Sequence, residues 1–220
     1  MAEHCLRFPG SNDQPAVLIV PPLFDEANRM RRTLVLMMRT LSALGTSSHL
    51  PDLPGQNDSL VDTEAVSLND WRCALAAVAA QENRPILVAS WRGGALIDDA
   101  VANALGWWRM APIAGATIVK AMIRTRIACD KESGRQSGAE AIRASAAEGP
   151  VELAGNFLSA AMLDGLDAAT PSLVEPLRQL SPSDVGGSAL WLRAEPGEDA
   201  AMAEAMAADI HSWAAICAAR

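Results

Sequence analysis

The chain has 220 residues, half of them hydrophobic, and a net charge of −8. That length suits a single domain, which can bury about 70% of the surface that its unfolded chain exposes. The acidic balance disfavours nucleic acid and anionic membranes as partners. The four cysteines have no Cys-x-x-Cys spacing, which favours small buried thiols. Because the sequence has no signal-peptide pattern and no apolar run of about 20 residues, we expect a cytoplasmic protein without membrane insertion.

Short apolar runs alternate with helical patterns in the first part of the chain. Residues 16–20 (AVLIV) are apolar, β-branched and closed by two prolines, which is typical of a buried strand. Apolar residues then recur at helical spacing as far as Gly45, a residue type that commonly ends helices. The predicted elements are a strand over 16–20, a helix over 28–44, a strand over 47–50, and a helix over 69–82 that begins at Asn69 or Asp70.

The rest of the chain continues the alternation around a polar, irregular middle segment. Its predicted elements are a strand from 86, a helix over 94–105, a strand over 107–111, a helix over 117–129, a loop over 130–138, a helix over 139–147, an extended piece over 151–153, a helix over 158–169, an irregular stretch over 170–187, a strand over 188–193 and a helix over 198–219. Such alternation predicts an α/β fold with a doubly wound, mostly parallel sheet in one domain over 1–220.

Residues 84–95 (RPILVASWRGGA) have the layout of a nucleophile elbow, a strand that passes through a tight turn into a helix. The turn strains the backbone of its central residue, so the residues two before and two after it must be small. A Ser90 apex does not fit, because bulky side chains would flank it. Two frames do fit, namely Arg92 between Ser90 and Gly94, or Trp91 between Ala89 and Gly93. The segment therefore predicts an α/β-hydrolase-like scaffold with a degenerate elbow.

Five segments carry a family resemblance. They are VPPLFDEANRMRR (20–32), PDLPGQNDS (51–59), SWRGGAL (90–96), WWRMAPIAGATIVKAMIRTRIA (107–128) and GPVELAGNFLSAAM (149–162). Together they resemble the exosortase A system-associated hydrolase 2 family of the α/β-hydrolase superfamily, in register over roughly residues 15–165. That family's elbow commonly reads Gly-x-Arg-x-Gly, which residues 90–94 match with Ser in place of the first Gly. The chain departs from the family's late Gly-Glu-Pro-Phe-Trp stretch, of which only residues 196–199 are recognisable.

The resemblance implies a fold and a gene context. The fold is that of an α/β hydrolase, in which the irregular middle of this chain, around 130–187, takes the place of a small helical cap. The context is exopolysaccharide production and the sorting of PEP-CTERM proteins by exosortases.

A serine hydrolase needs a nucleophile, a histidine base and an acid that orients the histidine. None of the three histidines stands on a loop after a final strand, where this fold places its base. Ser90, His211 and His49 are therefore only weak catalytic candidates, and a Ser-His-Asp triad is not recognisable. The elements of nucleotide and metal sites are not found in the sequence either, so we expect no cofactor and no metal.

Arg92 is the first candidate for binding a ligand, because an elbow apex points into the pocket beside the N-terminus of the following helix. A guanidinium there suits a phosphate or a carboxylate, although it can equally pair with Asp25 or Glu26 of the chain itself. The remaining candidates for contact with a small anionic or acyl ligand are Trp91, Gly93, Leu23 and Phe24.

Three function classes follow. The first is a non-catalytic binding or accessory protein, and the second is an active serine esterase, thioesterase or acyl-transfer hydrolase that uses Ser90. The third is a structural partner, since the Ala- and Met-rich last helix could support a homodimer.

Overall fold

The structure is a computed structural model, and it describes residues 3–11 and 13–220. These residues form eight strands, namely β1 (Cys5–Phe8), β2 (Ala16–Val20), β3 (Ser48–Pro51), β4 (Ile86–Trp91), β5 (Gly106–Met110), β6 (Val151–Leu153), β7 (Asn156–Leu158) and β8 (Leu177–Leu180). Six of them make the central sheet in the order β1-β3-β2-β4-β5-β8, and β6 pairs with β7 in a separate hairpin. Within the sheet, β1 is antiparallel to β3 and the other pairs are parallel. The predicted mostly parallel sheet is confirmed.

The described residues also form six α-helices: α1 (Asp25–Ala43), α2 (Leu68–Ala80), α3 (Gly115–Glu132), α4 (Ala139–Ser145), α5 (Ala160–Ala168) and α6 (Ala200–Ala218). Side chains alternate across a strand, so β2 and β4 supply two separate apolar layers. Val17 and Leu87 lie with α1 and α6 on one face, whereas Leu18 and Val88 lie with α2, α3 and α5 on the other. The central strand β4 is therefore covered on both sides.

The start of α2 shows how local sequence sets a helix boundary. The α2 helix begins after Ser67, whose hydroxyl accepts a hydrogen bond from the backbone N–H of Asp70, while the Asp70 carboxylate accepts from the backbone N–H of Ser67. This reciprocal capping box satisfies two donors that a helix start otherwise leaves unpaired. The cap is therefore Ser67. The prediction from the sequence, which placed the start of the helix at Asn69 or Asp70, is wrong.

The predicted helix over 94–105 is wrong. Two 3₁₀ turns, Arg92–Leu96 and Asp98–Ala100, follow β4 instead. The reason is a buried charge: Arg109 is almost fully enclosed on β5, and Asp98 turns inward to pair with it.

The chain after β5 also differs from expectation. Residues 188–193 form no strand; a 3₁₀ turn at Leu190–Leu192 packs on α1 and buries Leu190 and Trp191. The edge position beside β5 is taken instead by β8, which lies inside the stretch predicted to be irregular. Between α3 and β8, the chain forms α4, the β6–β7 hairpin and α5, in the region where we expect the cap.

The cysteines and helices bear on two composition-based expectations. All four cysteines are free; Cys217 is buried, but Cys73 and Cys129 are exposed, so the expectation of buried thiols is wrong for these two. In the part of the chain that the structure describes, no helix has the length and apolar character needed to cross a membrane. No group of three or more His, Cys, Asp or Glu side chains among those residues is arranged to hold a metal ion.

Candidate functional site

The turn after β4 places Arg92 at its apex. Arg92 has a φ of 53°, in the left-handed region that non-glycine residues seldom adopt. Two residues later the chain passes so close to the end of β2 that a Cβ on Gly94 would lie 2.5 Å from the carbonyl oxygen of Pro21. A strained apex followed at the second position by an obligatory glycine is the geometry of a nucleophile elbow. Of the two frames that the sequence allows, the structure has the Arg92 frame.

The Arg92 guanidinium is held on several sides. Its Nε and one terminal nitrogen donate to the two carboxylate oxygens of Glu26 at 3.1 and 3.2 Å, and the other terminal nitrogen lies 3.4 Å from the carbonyl oxygen of Ala111. The ring of Trp191 lies 4.6 Å from its central carbon, in cation–π geometry. Glu26, predicted with Asp25 as an internal partner, is the residue that pairs.

An apolar cleft of about 110 Å³ lies beside this ion pair, between the start of α1 and α3. Leu23, Phe24, Ile118 and Met122 form its apolar walls, and Glu26 is part of its lining. The cleft is open to solvent, and 24% of the Glu26 side chain is exposed. Of the sequence-predicted ligand contacts, Leu23 and Phe24 line this cleft.

Gly93 and Trp91 are placed differently from each other. A Cβ on Gly93 would meet Ile118 and Leu23, so Gly93 packs against two residues of the cleft wall. The Trp91 side chain points to the opposite face of the sheet, where its ring packs 5.2 Å from that of Trp108. Trp91 is fully buried there, away from the cleft walls.

Ser90 is fully buried and points into the core face that also contains Val88. Its hydroxyl donates to Oδ2 of Asp98 at 2.7 Å, and the same oxygen accepts from Nε of Arg109 at 2.8 Å. A terminal nitrogen of Arg109 completes a bidentate pair with Oδ1 of Asp98 at 2.7 Å. Burial raises the pKa of Asp98, and the bonds from Arg109 and Ser90 act against that rise. Ser90 is thus part of a buried polar cluster.

A second carboxylate joins this cluster to its surroundings. Asp99 pairs bidentately with Arg72 of α2 at 2.6 and 3.0 Å and accepts a bond from the Ser172 hydroxyl at 2.8 Å. Burial acts to raise the pKa of Asp99, but the bonds from Arg72 and Ser172 outweigh it, and the pKa is lowered. Arg109 also donates to the Ser172 carbonyl oxygen. The two aspartates therefore connect β4 and β5 with α2 and the segment before β8.

The histidines lie apart from Ser90 and Arg92. His211 is on α6, which covers the other face of the sheet, and its Nδ1 is 2.7 Å from the Thr46 hydroxyl. His49 is on β3, where its Nε2 lies 3.4 Å from a Glu82 carboxylate oxygen and burial lowers its pKa. Neither weak base candidate is brought to Ser90.

Two important residues of the site were not identified from the sequence. Trp191 lies in the segment interpreted as a strand, so its position over Arg92 was not expected. Arg109 stands in an otherwise apolar strand, WWRM, and that isolated charge is a signal that could have indicated a buried partner.

Comparison with solved structures identifies the fold. The ferulic acid-bound Est1E from Butyrivibrio proteoclasticus aligns with a TM-score of 0.59 and 13% identity, over 99% of this chain and 96% of that one. A thermophilic esterase from Thermogutta terrifontis, with malate bound, gives 0.55 and 14% over 97% and 93%. Mouse alpha/beta hydrolase domain-containing protein 10 gives 0.50 and 12% over 98% and 92%. No protein-family model and no curated protein matches the sequence. The chain has the α/β-hydrolase fold.

Proposed function

We propose that this chain is a non-hydrolytic binding or accessory protein built on the α/β-hydrolase fold. The observation that carries the proposal is Arg92, which occupies the elbow apex and forms a bidentate ion pair with Glu26. The apex is the position from which this fold presents its nucleophile. A guanidinium remains protonated in proteins and does not attack a carbonyl carbon.

The surroundings of Ser90 support the same proposal. An acyl-enzyme mechanism needs the serine hydroxyl within about 3.2 Å, or one water, of a base. The Ser90 hydroxyl instead donates to Asp98, which is already bound by Arg109. Protonating Asp98 would weaken its bidentate ion pair and leave Arg109 charged and buried without its counter-charge.

The cellular context that we propose rests on the sequence resemblance alone. By that resemblance, the protein acts in an exosortase-associated, exopolysaccharide-producing system, and its composition favours the cytoplasm. Its ligand would be a small anionic or acyl molecule held by Leu23, Phe24, Gly93 and Arg92, with a cap formed from the region around 130–187. A homodimer would use α6. The identity of the neighbouring genes tests this context directly.

The alternative is an active serine esterase, thioesterase or acyl-transfer hydrolase. The Thermogutta terrifontis structure, which is named as an esterase, favours it, since this chain has the same fold. Such an enzyme would need Ser90 to leave Asp98 and a histidine to approach it, against the geometry described above.

A fluorophosphonate probe separates the two functions. We expect no labelling of the purified protein and no hydrolysis of p-nitrophenyl butyrate above buffer, while an active serine esterase in the same buffer is labelled fully. Labelling that disappears in Ser90→Ala, with the variant still folded by circular dichroism, would establish the esterase and overturn the proposal.

A further inference from the structure

We infer that Glu26 occupies the place of a ligand carboxylate, so that a short aliphatic carboxylate binds in the cleft by displacing Glu26 from Arg92. This inference deepens the proposed binding function and rests on it. It assigns to one ion pair both the ligand site, at Arg92, and the group that occupies Arg92 when no ligand is present.

The guanidinium is positioned without Glu26. Trp191 covers one of its faces at 4.6 Å and is itself buried, and the backbone carbonyl of Trp191 accepts a bond from Arg29 at 3.0 Å. The elbow sets the direction of the Arg92 side chain through a backbone that the close approach of Gly94 to Pro21 keeps in place. A cation prepared in this way needs little reorganisation to accept a new anion.

The Glu26 side chain, by contrast, is free to move away from Arg92. It lies in the first turn of α1, lines the open cleft, and has 24% of its side chain exposed, so water can solvate the carboxylate once it swings away. The buried pair of Asp98 and Arg109 in the same protein shows the opposite case, with side chains 0% and 3% exposed. The Glu26–Arg92 pair is therefore less enclosed than the pair of Asp98 and Arg109.

The cleft identifies the chemistry of the ligand. Leu23, Phe24, Ile118 and Met122 offer apolar walls that suit an alkyl chain. Asp25 and Arg29 also line the cleft and carry opposite charges. When the Glu26 carboxylate moves away, the positive charge of Arg92 is left without a counter-charge. The single carboxylate of a ligand neutralises it. Bidentate pairing favours the planar carboxylate over other anions of one charge.

Glu26 competes with the ligand carboxylate for Arg92, and this competition sets the affinity of the protein for the ligand. A tethered carboxylate acts at an effective concentration in the millimolar range or above, so an untethered one binds only weakly to the wild-type protein. Replacing Glu26 with glutamine keeps its size and removes its charge. The guanidinium then lacks an anion, and an added carboxylate should bind at least about tenfold more tightly.

The test is a calorimetric titration with hexanoate, and with hexanamide as the uncharged probe of the same chain length. The variants are Glu26→Gln, the double variant with Arg92→Gln, and Asp25→Asn as the matched control. Asp25→Asn removes the same charge from the same cleft but does not touch Arg92. We expect Glu26→Gln to tighten hexanoate tenfold or more, Asp25→Asn to change it less than threefold, and the double variant to lose the gain.

Each remaining outcome counts against the inference. Equal tightening in Glu26→Gln and Asp25→Asn would mean a general charge effect, and tightening that survives in the double variant would place the anion elsewhere. No change in Glu26→Gln would make the pair a structural brace. If Glu26→Gln does not fold, Glu26→Asp takes its place, because its shorter side chain should pair less well and tighten hexanoate severalfold. Fluorophosphonate labelling, not this titration, decides whether the protein is an enzyme, so the two failures are distinguishable.

Discussion

The hydroxyl of Ser90 and the carboxylate of Asp98 lie 2.7 Å apart inside the protein, and both side chains are fully buried. The serine stands two residues before the apex of the elbow, at a position that must be small, and its hydroxyl needs a partner once it is buried. Asp98 provides that partner while it also receives Arg109. The only serine of the elbow therefore stabilises the turn in this structure.

Ser90→Ala should lower stability without changing any background hydrolysis. A hydrogen bond to a charged acceptor contributes about 1.5–3 kcal/mol, and Asp98 keeps its bonds to Arg109, so we expect a loss of about 1–2 kcal/mol. Urea unfolding monitored by tryptophan fluorescence measures it. Ser212→Ala, on the exposed side of α6, is the control and should cost less than about 0.5 kcal/mol. An unchanged midpoint in Ser90→Ala would contradict this role.

Asp98→Asn should be far more damaging than the loss of an exposed pair. Removing one partner of a buried pair leaves the other charge uncompensated, which costs about 3–5 kcal/mol. Asp167→Asn breaks the pair with Arg143 at the surface and should cost about 1 kcal/mol or less. Comparable losses in the two variants, by the same unfolding measurement, would mean that water reaches Arg109.

Gly94→Ala tests the close approach of the elbow to β2. The added methyl group would lie 2.5 Å from the Pro21 carbonyl oxygen and 2.7 Å from that of Val20, so one backbone segment must move. We expect a loss of about 2 kcal/mol or more, because overpacking against backbone cannot be relieved by a rotamer change. Gly149→Ala is the matched substitution, since no atom lies within 4 Å of its Cβ, and it should be nearly neutral. A tolerated Gly94→Ala would refute this elbow geometry.

Glu82 should make stability depend on acid pH. Hydrogen bonds from Arg84 at 2.9 and 3.1 Å lower the pKa of Glu82 from its ordinary 4.5 to about 2. A carboxyl with a lowered pKa stabilises the fold above its unfolded value and loses that contribution as the pH falls toward its folded value. Glu82→Gln should therefore be about 1–2 kcal/mol less stable at pH 7 and equal to wild type near pH 2.

The control for Glu82 is Glu148→Gln, an exposed carboxylate with no ion pair among the described residues. At pH 7 it should differ from wild type by less than about 0.5 kcal/mol. If the Glu82→Gln difference does not change between pH 7 and pH 2, Arg84 does not hold the Glu82 carboxylate in solution.

The sequence predicted those parts of the fold that local pattern determines. The strands β2 and β5 and the helices α1, α3 and α6 follow from apolar runs and helical spacing. The elbow is predictable because its turn requires small residues at set positions. The close approach of Gly94 to Pro21 shows the reason for that requirement. The strand β8 is not predictable in this way, because Leu-Arg-Gln-Leu lies among prolines and serines and has no apolar run. Its pairing with β5 is a long-range contact that no local window shows.

The candidate site was predictable at its centre and not at its edges. Arg92 and its partner Glu26 follow from the elbow frame and from the loop that faces it in this fold. Trp191 covers Arg92 from a segment almost a hundred residues away, and Asp98 leaves its expected helix because Arg109 requires a counter-charge. Both depend on tertiary contacts, which override local propensity.

The end of the sheet at β8 has a consequence for self-association. An edge strand offers unpaired backbone groups to which another chain can add a strand of its own. β8 is only four residues long, carries an arginine that pairs with Asp209, and is bounded by Pro176 and Pro182. Short length, charge and proline each discourage strand addition. Two copies of this chain would therefore not join their sheets through β8 into one continuous ribbon.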